Sequence, residues 1–154
     1  MDGVTPGPPG RTPIGIVVAQ TAKAMDRAFD GALGAAGGTR ATWLVLLAVK
    51  SGEARTQGGI ADRVGIRGPT LTHHLDRMER DLLVTRERHS DNRRVQHVEL
   101  TDRGHALFGQ LREAAIGFDL RARAGITDDE LGIARRVLER LRDNVGAPAG
   151  SGSG

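Results

Sequence analysis

The sequence predicts a mainly α protein of the α+β class, with one small antiparallel β-hairpin set among helices. Apolar residues recur at helical spacing through most of the chain between Ile14 and Val145. The exception is the segment 82–100, where two short apolar runs flank a polar stretch, as is typical of a hairpin. At 154 residues the chain is long enough for one domain, or for a compact domain with a helical extension for dimerisation.

The composition limits the classes of function. The chain has no Cys, which excludes disulfides, thiolate metal sites and thiol redox sensing. No segment approaches the roughly 20 apolar residues that span a bilayer, and no signal peptide is visible, so we expect a cytoplasmic protein with no membrane partner. Of the 22 basic residues all but Lys23 and Lys50 are Arg, which suits phosphate and guanine contacts. Coding bias explains that excess equally well, so the placement of each Arg carries more weight than the count.

Two helices are predicted in the N-terminal third. Residues 1–13 hold four of the six Pro and are expected to be a disordered tail. A helix from Ile14 to about Leu33 carries two adjacent apolar stripes, more than a lone surface helix needs. After a break at 34–38, Thr39 can cap a second helix from Arg40 to about Lys50. Residues 43–49 are apolar nearly all round, so this helix should be buried.

A helix, a turn and a second helix are predicted between Thr56 and Glu79. Thr56 is a plausible N-cap, and Gly65 suits the left-handed residue that ends a helix. Pro69 begins the next helix where a missing N–H costs nothing. In that helix the inward face is Leu71, Leu75 and Met78, and the outward face is Thr70, Thr72, His73, Asp76 and Arg77. Hydroxyls followed by Arg on an outward face fit a helix that enters the major groove of DNA.

The predicted hairpin is the second feature that indicates DNA binding. Residues 82–84 are expected to start one strand and residues 95–100 to form the other, with Val98 and Leu100 on one face. The tip, residues 86–94, carries four Arg against Glu87 and Asp91. An acid two residues before an Arg can hold that Arg extended, and narrow minor grooves attract such an Arg.

Two more helices are predicted after the hairpin. The first runs from Asp102 to about Ala124. Thr127 and Glu130 form a capping box that opens the last helix, which extends to about Asn144. Its apolar residues follow a heptad rhythm: Leu131, Ala134, Leu138, Leu141 and Val145. We expect the terminal helices to pack on each other and on a second copy, giving a two-fold dimer. A monomer with an intramolecular bundle is the alternative.

The chain resembles the winged helix-turn-helix of the multiple antibiotic resistance regulator (MarR) family. The matching residues span about a third of the chain and are Gln57, Ile60-Ala61-Asp62-Arg63-Val64-Gly65, Pro69-Thr70-Leu71-Thr72, Leu75-Asp76-Arg77-Met78-Glu79, Leu83-Val84, Asp91-x-Arg93-Arg94 and Leu100-Thr101-x-x-Gly104. The sequence departs from the family pattern at Arg67, His73 and His74. The resemblance implies homodimers whose N- and C-terminal helices interlock.

These observations together divide the chain into five segments. Residues 1–13 are a tail, 14–52 the N-terminal dimerisation and support helices, and 53–101 the winged helix-turn-helix module. Residues 102–145 are the C-terminal dimerisation helices, and 146–154 are a flexible tail.

The expected DNA-contacting residues lie in the second helix of the module and in the wing. They are Arg67, Pro69, Thr70, Thr72, His73, Arg77, Arg88, Arg93 and Arg94, with Asp91 supporting the wing. The alternative is that these residues form only a solvated helix face and a solvated hairpin tip.

A ligand pocket is a further expectation. In the family, small aromatic acids bind between the DNA module and the dimer helices, and His74, Trp43 and Arg11 are the residues we assign to such a pocket. His74 could instead be a rim histidine satisfied by a backbone carbonyl. Adjacent residues such as His73 and His74 diverge by about 100° on a helix and cannot chelate one metal. No metal or cofactor is therefore expected.

The sequence thus predicts a dimeric, sequence-specific transcription regulator that binds double-stranded DNA. A repressor released by a small, aromatic-acid ligand is the favoured form; the alternatives are a ligand-independent regulator and an architectural DNA-binding protein. No Ser/His/Asp order, loop of paired carboxylates, P-loop or dinucleotide fingerprint is present, so an enzyme is not expected.

Overall fold

The structure, a computed structural model, describes residues 10–88, 91 and 95–146. Its elements are the helices α1 (Ile14–Ala35), α2 (Arg40–Lys50), α3 (Gln57–Val64) and α4 (Gly68–Arg80), the strands β1 (Val84–Arg88) and β2 (Gln96–Leu100), and the helices α5 (Asp102–Ala122) and α6 (Asp128–Gly146). The expected mainly helical fold with one small antiparallel sheet is confirmed. The chain divides into two compact units, Met1–Asp119 and Leu120–Gly154, and α5 runs across the boundary between them.

The helix α2 lies in the core of the first unit, as its composition predicts. Thr39 caps it: the Thr39 hydroxyl accepts a hydrogen bond from the amide of Thr42 at 3.2 Å. Val45, Leu46 and Ala48 are buried. The helix is not buried all round, however, because Leu47 stays 39% exposed.

The first helix of the predicted helix-turn-helix begins and ends where its capping residues indicate, and the second begins at Gly68, with Pro69 in its first turn. The Thr56 hydroxyl accepts from the amide of Gly59 at 3.1 Å, and Gly65 ends α3 with a left-handed φ of 68°. Ile60 on α3 is fully buried. So are Leu71, Leu75 and Met78 on α4, all at 3% exposure or less. Burial of this stripe turns the opposite face of α4 outward.

The hairpin starts two residues later than the apolar run 82–84 suggests. Leu82 lies in the turn that follows α4, with a φ of 58° and 64% of its surface exposed. Leu83 is buried, but its amide donates to the carbonyl of Met78 at 2.8 Å, which closes the end of α4. The strand therefore begins at Val84, because the chain needs these residues to reverse direction.

The sheet is a regular antiparallel pair. Val84 pairs with Leu100, and the register continues to the pair Arg88–Gln96. The segment before α3 adds to it, since the amide of Val98 donates to the carbonyl of Arg55 at 2.7 Å. This link joins the hairpin to the start of the helix-turn-helix.

The first unit is completed by the N-terminal part of α5. Leu111 is fully buried and lies against Gly38, where an added Cβ would be 2.8 Å from the Leu111 methyl carbons. On the surface, Arg40 forms ion pairs at 2.9 Å with Asp26 and Asp30 of α1. The hydrogen bonds to Asp26 and Asp30 raise the pKa of Arg40.

The second unit contains α6, which opens with the expected capping box. The Thr127 amide donates to Glu130 Oε2 at 2.8 Å, and the Glu130 amide donates to the Thr127 hydroxyl at 3.2 Å. The bonds that Glu130 accepts from Thr127 lower the pKa of Glu130. Within the described part of α6 no residue is buried.

Among the described residues, no single helix has the length and apolar composition to cross a membrane, although α1 and α2, bent by 76° at the break between them, pass that test as a pair.

Candidate nucleic-acid interface

A cleft of about 790 Å³ separates the helix-turn-helix from the hairpin. It is lined by Thr56, Gln57, Gly58, Ala61, Gly68, Thr72, Asp76, Arg86, Arg88, Val95 and Gln96. One side of it is thus formed by α3 and α4, and the other by the two strands. A helix face and a hairpin that diverge from a common cleft have the form of a groove-reading helix with a wing.

The outward face of α4 holds most of the residues expected to contact DNA. Thr70, His73 and Arg77 are exposed, and so are Arg67 and Pro69 at the start of the helix. The side chain of Arg77 is 70% exposed, and its Nε lies 4.0 Å from Asp81 Oδ2. An exposed pair at that distance holds a side chain only weakly, so the Arg77 guanidinium can reach outward.

Thr72 differs from its neighbours on α4, because its hydroxyl is already engaged. The hydroxyl accepts from Gln57 Nε2 at 2.6 Å and donates to the carbonyl of Gly68 at 3.0 Å. Because the hydroxyl has one proton, which it donates to Gly68, it has none left to donate to another group. Thr72 holds the first turn of α4 against α3 through Gln57, a partner that the sequence alone did not single out.

Arg86 is also bonded within the protein, to two carboxylates that offset its positive charge at the base of the wing. The sequence suggested that it adds to the positive tip, but its side chain is only 14% exposed. Arg86 Nη2 donates to Asp76 Oδ1 at 2.5 Å and to Glu79 Oε2 at 2.7 Å. Burial by itself would lower the pKa of Arg86, but the hydrogen bonds to Glu79 and Asp76 outweigh it and raise the pKa.

The rest of the expected wing site is described only in part. Arg88 is exposed at the end of β1 and lines the cleft. Arg93 and Arg94 lie outside the described residues. The expected support of Arg93 by Asp91 therefore stays a prediction.

The residues assigned to a ligand pocket do not line this cleft. Trp43 is half-buried and stacks on Phe108 of α5, with ring centroids 5.5 Å apart and an angle of 10° between the ring planes. His74 is half-buried on α4, and Arg11 is exposed before α1. No group of three metal-ligating side chains occurs within residues 10–88, 91 and 95–146.

The positive charge near the cleft comes from a few exposed side chains. Arg67 and Arg77 lie on or beside α4, and Arg88 lies on β1. Arg63 on α3 is paired with Glu53 and contributes less. These exposed side chains form a narrow basic strip, in agreement with the modest net charge of +3.

Comparison with known proteins gives consistent matches. The family model described as the MarR family matches residues 36–95. The solved structure of a transcriptional regulator, PA3341, is 32% identical; the match covers 87% of this chain and 98% of that one, with a TM-score of 0.68.

Two solved structures with DNA share the fold. A mutant MarR from E. coli, complexed with operator DNA, is 22% identical over 84% of this chain and 93% of its own, with a TM-score of 0.72. The M. tuberculosis transcriptional regulator MOSR, in complex with DNA, is 24% identical over 88% of this chain and 97% of its own, with a TM-score of 0.66.

Proposed function

Since the chain belongs to the MarR family and is a DNA-binding transcription regulator rather than an enzyme, we propose that it is a homodimeric repressor of a pseudo-palindromic operator, released by a small ligand. The observation that carries the DNA-binding mode is the outward face of α4 beside the cleft. There Thr70, His73 and Arg77 are exposed on a helix whose opposite face is buried. The regulator acts in the cytoplasm, at the nucleoid.

In this proposal α4 enters the major groove and the hairpin tip reaches the neighbouring minor groove. Arg77 is long, exposed and weakly paired, so it suits a bidentate contact with a guanine edge. Arg67 stands at the start of α4 and meets phosphates, which fixes the register of the helix without reading sequence. From the wing, Arg88, Arg93 and Arg94 contact DNA, and Asp91 has the supporting role expected from the sequence.

Exposed apolar surface supports the homodimer. On α6, Ile133, Val137 and Leu138 are each about half exposed, at 53%, 49% and 49%. On α1, Ile14 and Ile16 are 56% and 48% exposed. Apolar side chains repeated along a helix at this exposure favour contact with another chain. Two-fold symmetry would then set two copies of α4 about one helical turn apart on the duplex.

The release of DNA by a ligand rests on family resemblance and on residue type. We assign Trp43, His74 and Arg11 to the ligand site, and an aromatic acid to the ligand. Such a compound weakens operator binding only if it binds better to a DNA-incompetent arrangement of the dimer. Quenching of the fluorescence of Trp43, the only Trp, by phenolic carboxylates would test this step. If no compound both quenches this fluorescence and weakens operator binding, the protein is a ligand-independent regulator.

A salt-titrated binding assay tests the function itself. Binding to the operator and to a scrambled duplex of equal length is measured over a range of salt. We expect the operator to bind at least about 10³-fold more tightly at physiological salt. Equal affinity for both duplexes, with a steep salt dependence for both, would instead indicate an architectural DNA-binding protein.

A further inference from the structure

We propose that Arg86 is a positioning residue, which locks the wing to α4 at one angle so that both can engage DNA together. This inference rests on the proposed function and adds to it a residue that does not itself touch DNA. It assigns the same role to the carboxylates of Asp76 and Glu79. We call these three side chains the strut.

The strut joins two elements that diverge from the cleft. Asp76 and Glu79 are three residues apart on α4 and therefore lie on one side of the helix. Arg86, on β1, reaches both: its Nη2 donates to Asp76 Oδ1 and to Glu79 Oε2, and its Nε donates to Glu79 Oε2 at 3.2 Å. A guanidinium is planar and rigid, so a set of charge-assisted bonds to two carboxylates fixes direction as well as distance.

The burial of Arg86 separates it from the arginines that are free to bind phosphate. Its side chain is 14% exposed, whereas that of Arg77 is 70% exposed. Arg88 lies two residues further along β1, on the same face of the strand as Arg86, and is exposed. Anchoring Arg86 therefore sets where Arg88 stands, and with it the direction of the hairpin.

The charge of Asp76 allows a positioning role of the strut to be distinguished from simple repulsion between a carboxylate and DNA. Asp76 is half exposed and lines the cleft beside the proposed DNA-binding face. A carboxylate there repels phosphate, so its removal should tighten DNA binding if charge alone matters. If instead Asp76 holds Arg86 and the wing in place, its removal should weaken specific binding. The two accounts predict opposite signs.

The test compares Asp76→Ala with Asp62→Ala by operator affinity. Asp62 is exposed on α3, and the same substitution there removes the same charge from a helix without touching the strut. We expect Asp62→Ala to bind as tightly as the wild type or more tightly, and Asp76→Ala to bind at least about threefold more weakly. Arg86→Gln should weaken binding further, and Arg86→Lys should recover part of the loss, because an ammonium keeps the charge but not the planar geometry.

A double-mutant cycle with Arg88→Ala provides a readout that a general loss of stability would not move. In the wild type, Arg88→Ala should weaken operator binding. In the Asp76→Ala background, the wing is already displaced, so Arg88→Ala should have a smaller effect by at least about threefold. Thermal unfolding of each variant shows that it is folded under the assay conditions.

The outcomes separate this inference from the proposed function. A wild type that does not distinguish the operator from a scrambled duplex contradicts the function. A wild type that does distinguish them, together with tighter binding by Asp76→Ala or strictly additive effects in the cycle, overturns the strut and leaves the function standing.

Discussion

The backbone carbonyl of Leu83 lies directly over the Cα of Gly104, so that a Cβ built on Gly104 would be 2.0 Å from the Leu83 oxygen. The same carbonyl accepts a hydrogen bond from the amide of Thr101 at 3.1 Å. The base of the hairpin and the first turn of α5 thus meet backbone against backbone. A side chain at 104 cannot be accommodated by a rotamer change, because the opposing atom belongs to the main chain.

Gly104→Ala should therefore destabilise the protein. Pushing α5 away from Leu83 disturbs a packed junction, and we expect a loss of about 2 kcal/mol or more in the free energy of unfolding. Gly109→Ala is the matched control: Gly109 lies on the same helix, and a Cβ added there would have nothing within 4 Å. That change should raise stability by roughly 0.5–1 kcal/mol. Equal effects of the two substitutions in urea unfolding would show that the junction is not close-packed.

At Leu82, in contrast to Gly104, replacing the present residue should stabilise the protein if the new residue is glycine. The Leu82 φ of 58° is left-handed, and its side chain is 64% exposed, so little packing offsets the strain. Leu82→Gly should raise the free energy of unfolding by roughly 0.5–1 kcal/mol, since only glycine adopts this conformation without steric cost. Leu82→Ala removes the same exposed surface but keeps a Cβ, so it should not reproduce the gain. Destabilisation by Leu82→Gly would show that the side chain makes contacts that outweigh the strain.

Arg77 provides the test of base recognition. Arg77→Ala should weaken operator binding by about 1–3 kcal/mol if it makes a bidentate contact with a base. Arg77→Lys keeps the charge but loses the planar guanidinium, so it should lose part of the discrimination between operator and scrambled duplex while retaining non-specific affinity. Unchanged operator affinity in a folded Arg77→Ala variant would remove Arg77 from the site.

The exposed apolar side chains Ile133, Val137 and Leu138 of α6 provide the test of dimerisation. Val137→Lys places a charge among them, and light scattering at micromolar concentration should then give the mass of one chain rather than two. Operator binding should fall with it, although the added positive charge by itself favours DNA. Asp143→Lys, at an exposed position bearing an acid, is the control and should leave both the dimer and DNA binding intact. A Val137→Lys protein that remains dimeric would place the interface elsewhere.

Local signals accounted for most of the architecture. Thr56, Gly65 and the Thr127–Glu130 pair act within a few residues of themselves, so their capping roles could be identified from sequence and are seen in the structure. The stripe of α4 is buried as its spacing predicts. The apolar run 82–84 predicts a strand that includes Leu82, but Leu82 lies in an exposed turn, and an apolar residue in such a turn gives no sequence signal.

The partners of the polar site residues could not be identified in the same way. Arg86 lies 10 residues from Asp76, and Gln57 lies 15 residues from Thr72. Over such separations many carboxylates and hydroxyls compete as partners, and only the packing of α3, α4 and β1 selects among them. The spacing of Asp76 and Glu79 on one side of α4 was the one available hint. The sequence therefore gives no indication that the Thr72 hydroxyl and the Arg86 guanidinium are bonded within the protein.

The most direct test of the central claim is selection of bound duplexes from a random pool by the full-length protein. The account predicts enrichment of a pseudo-palindrome whose half-sites are about one helical turn apart. It also predicts that Arg77→Ala relaxes the sequence at symmetric positions in both half-sites. Recovery of a single unrepeated site, or of no enriched sequence at all, would contradict a two-fold dimer that reads DNA with α4.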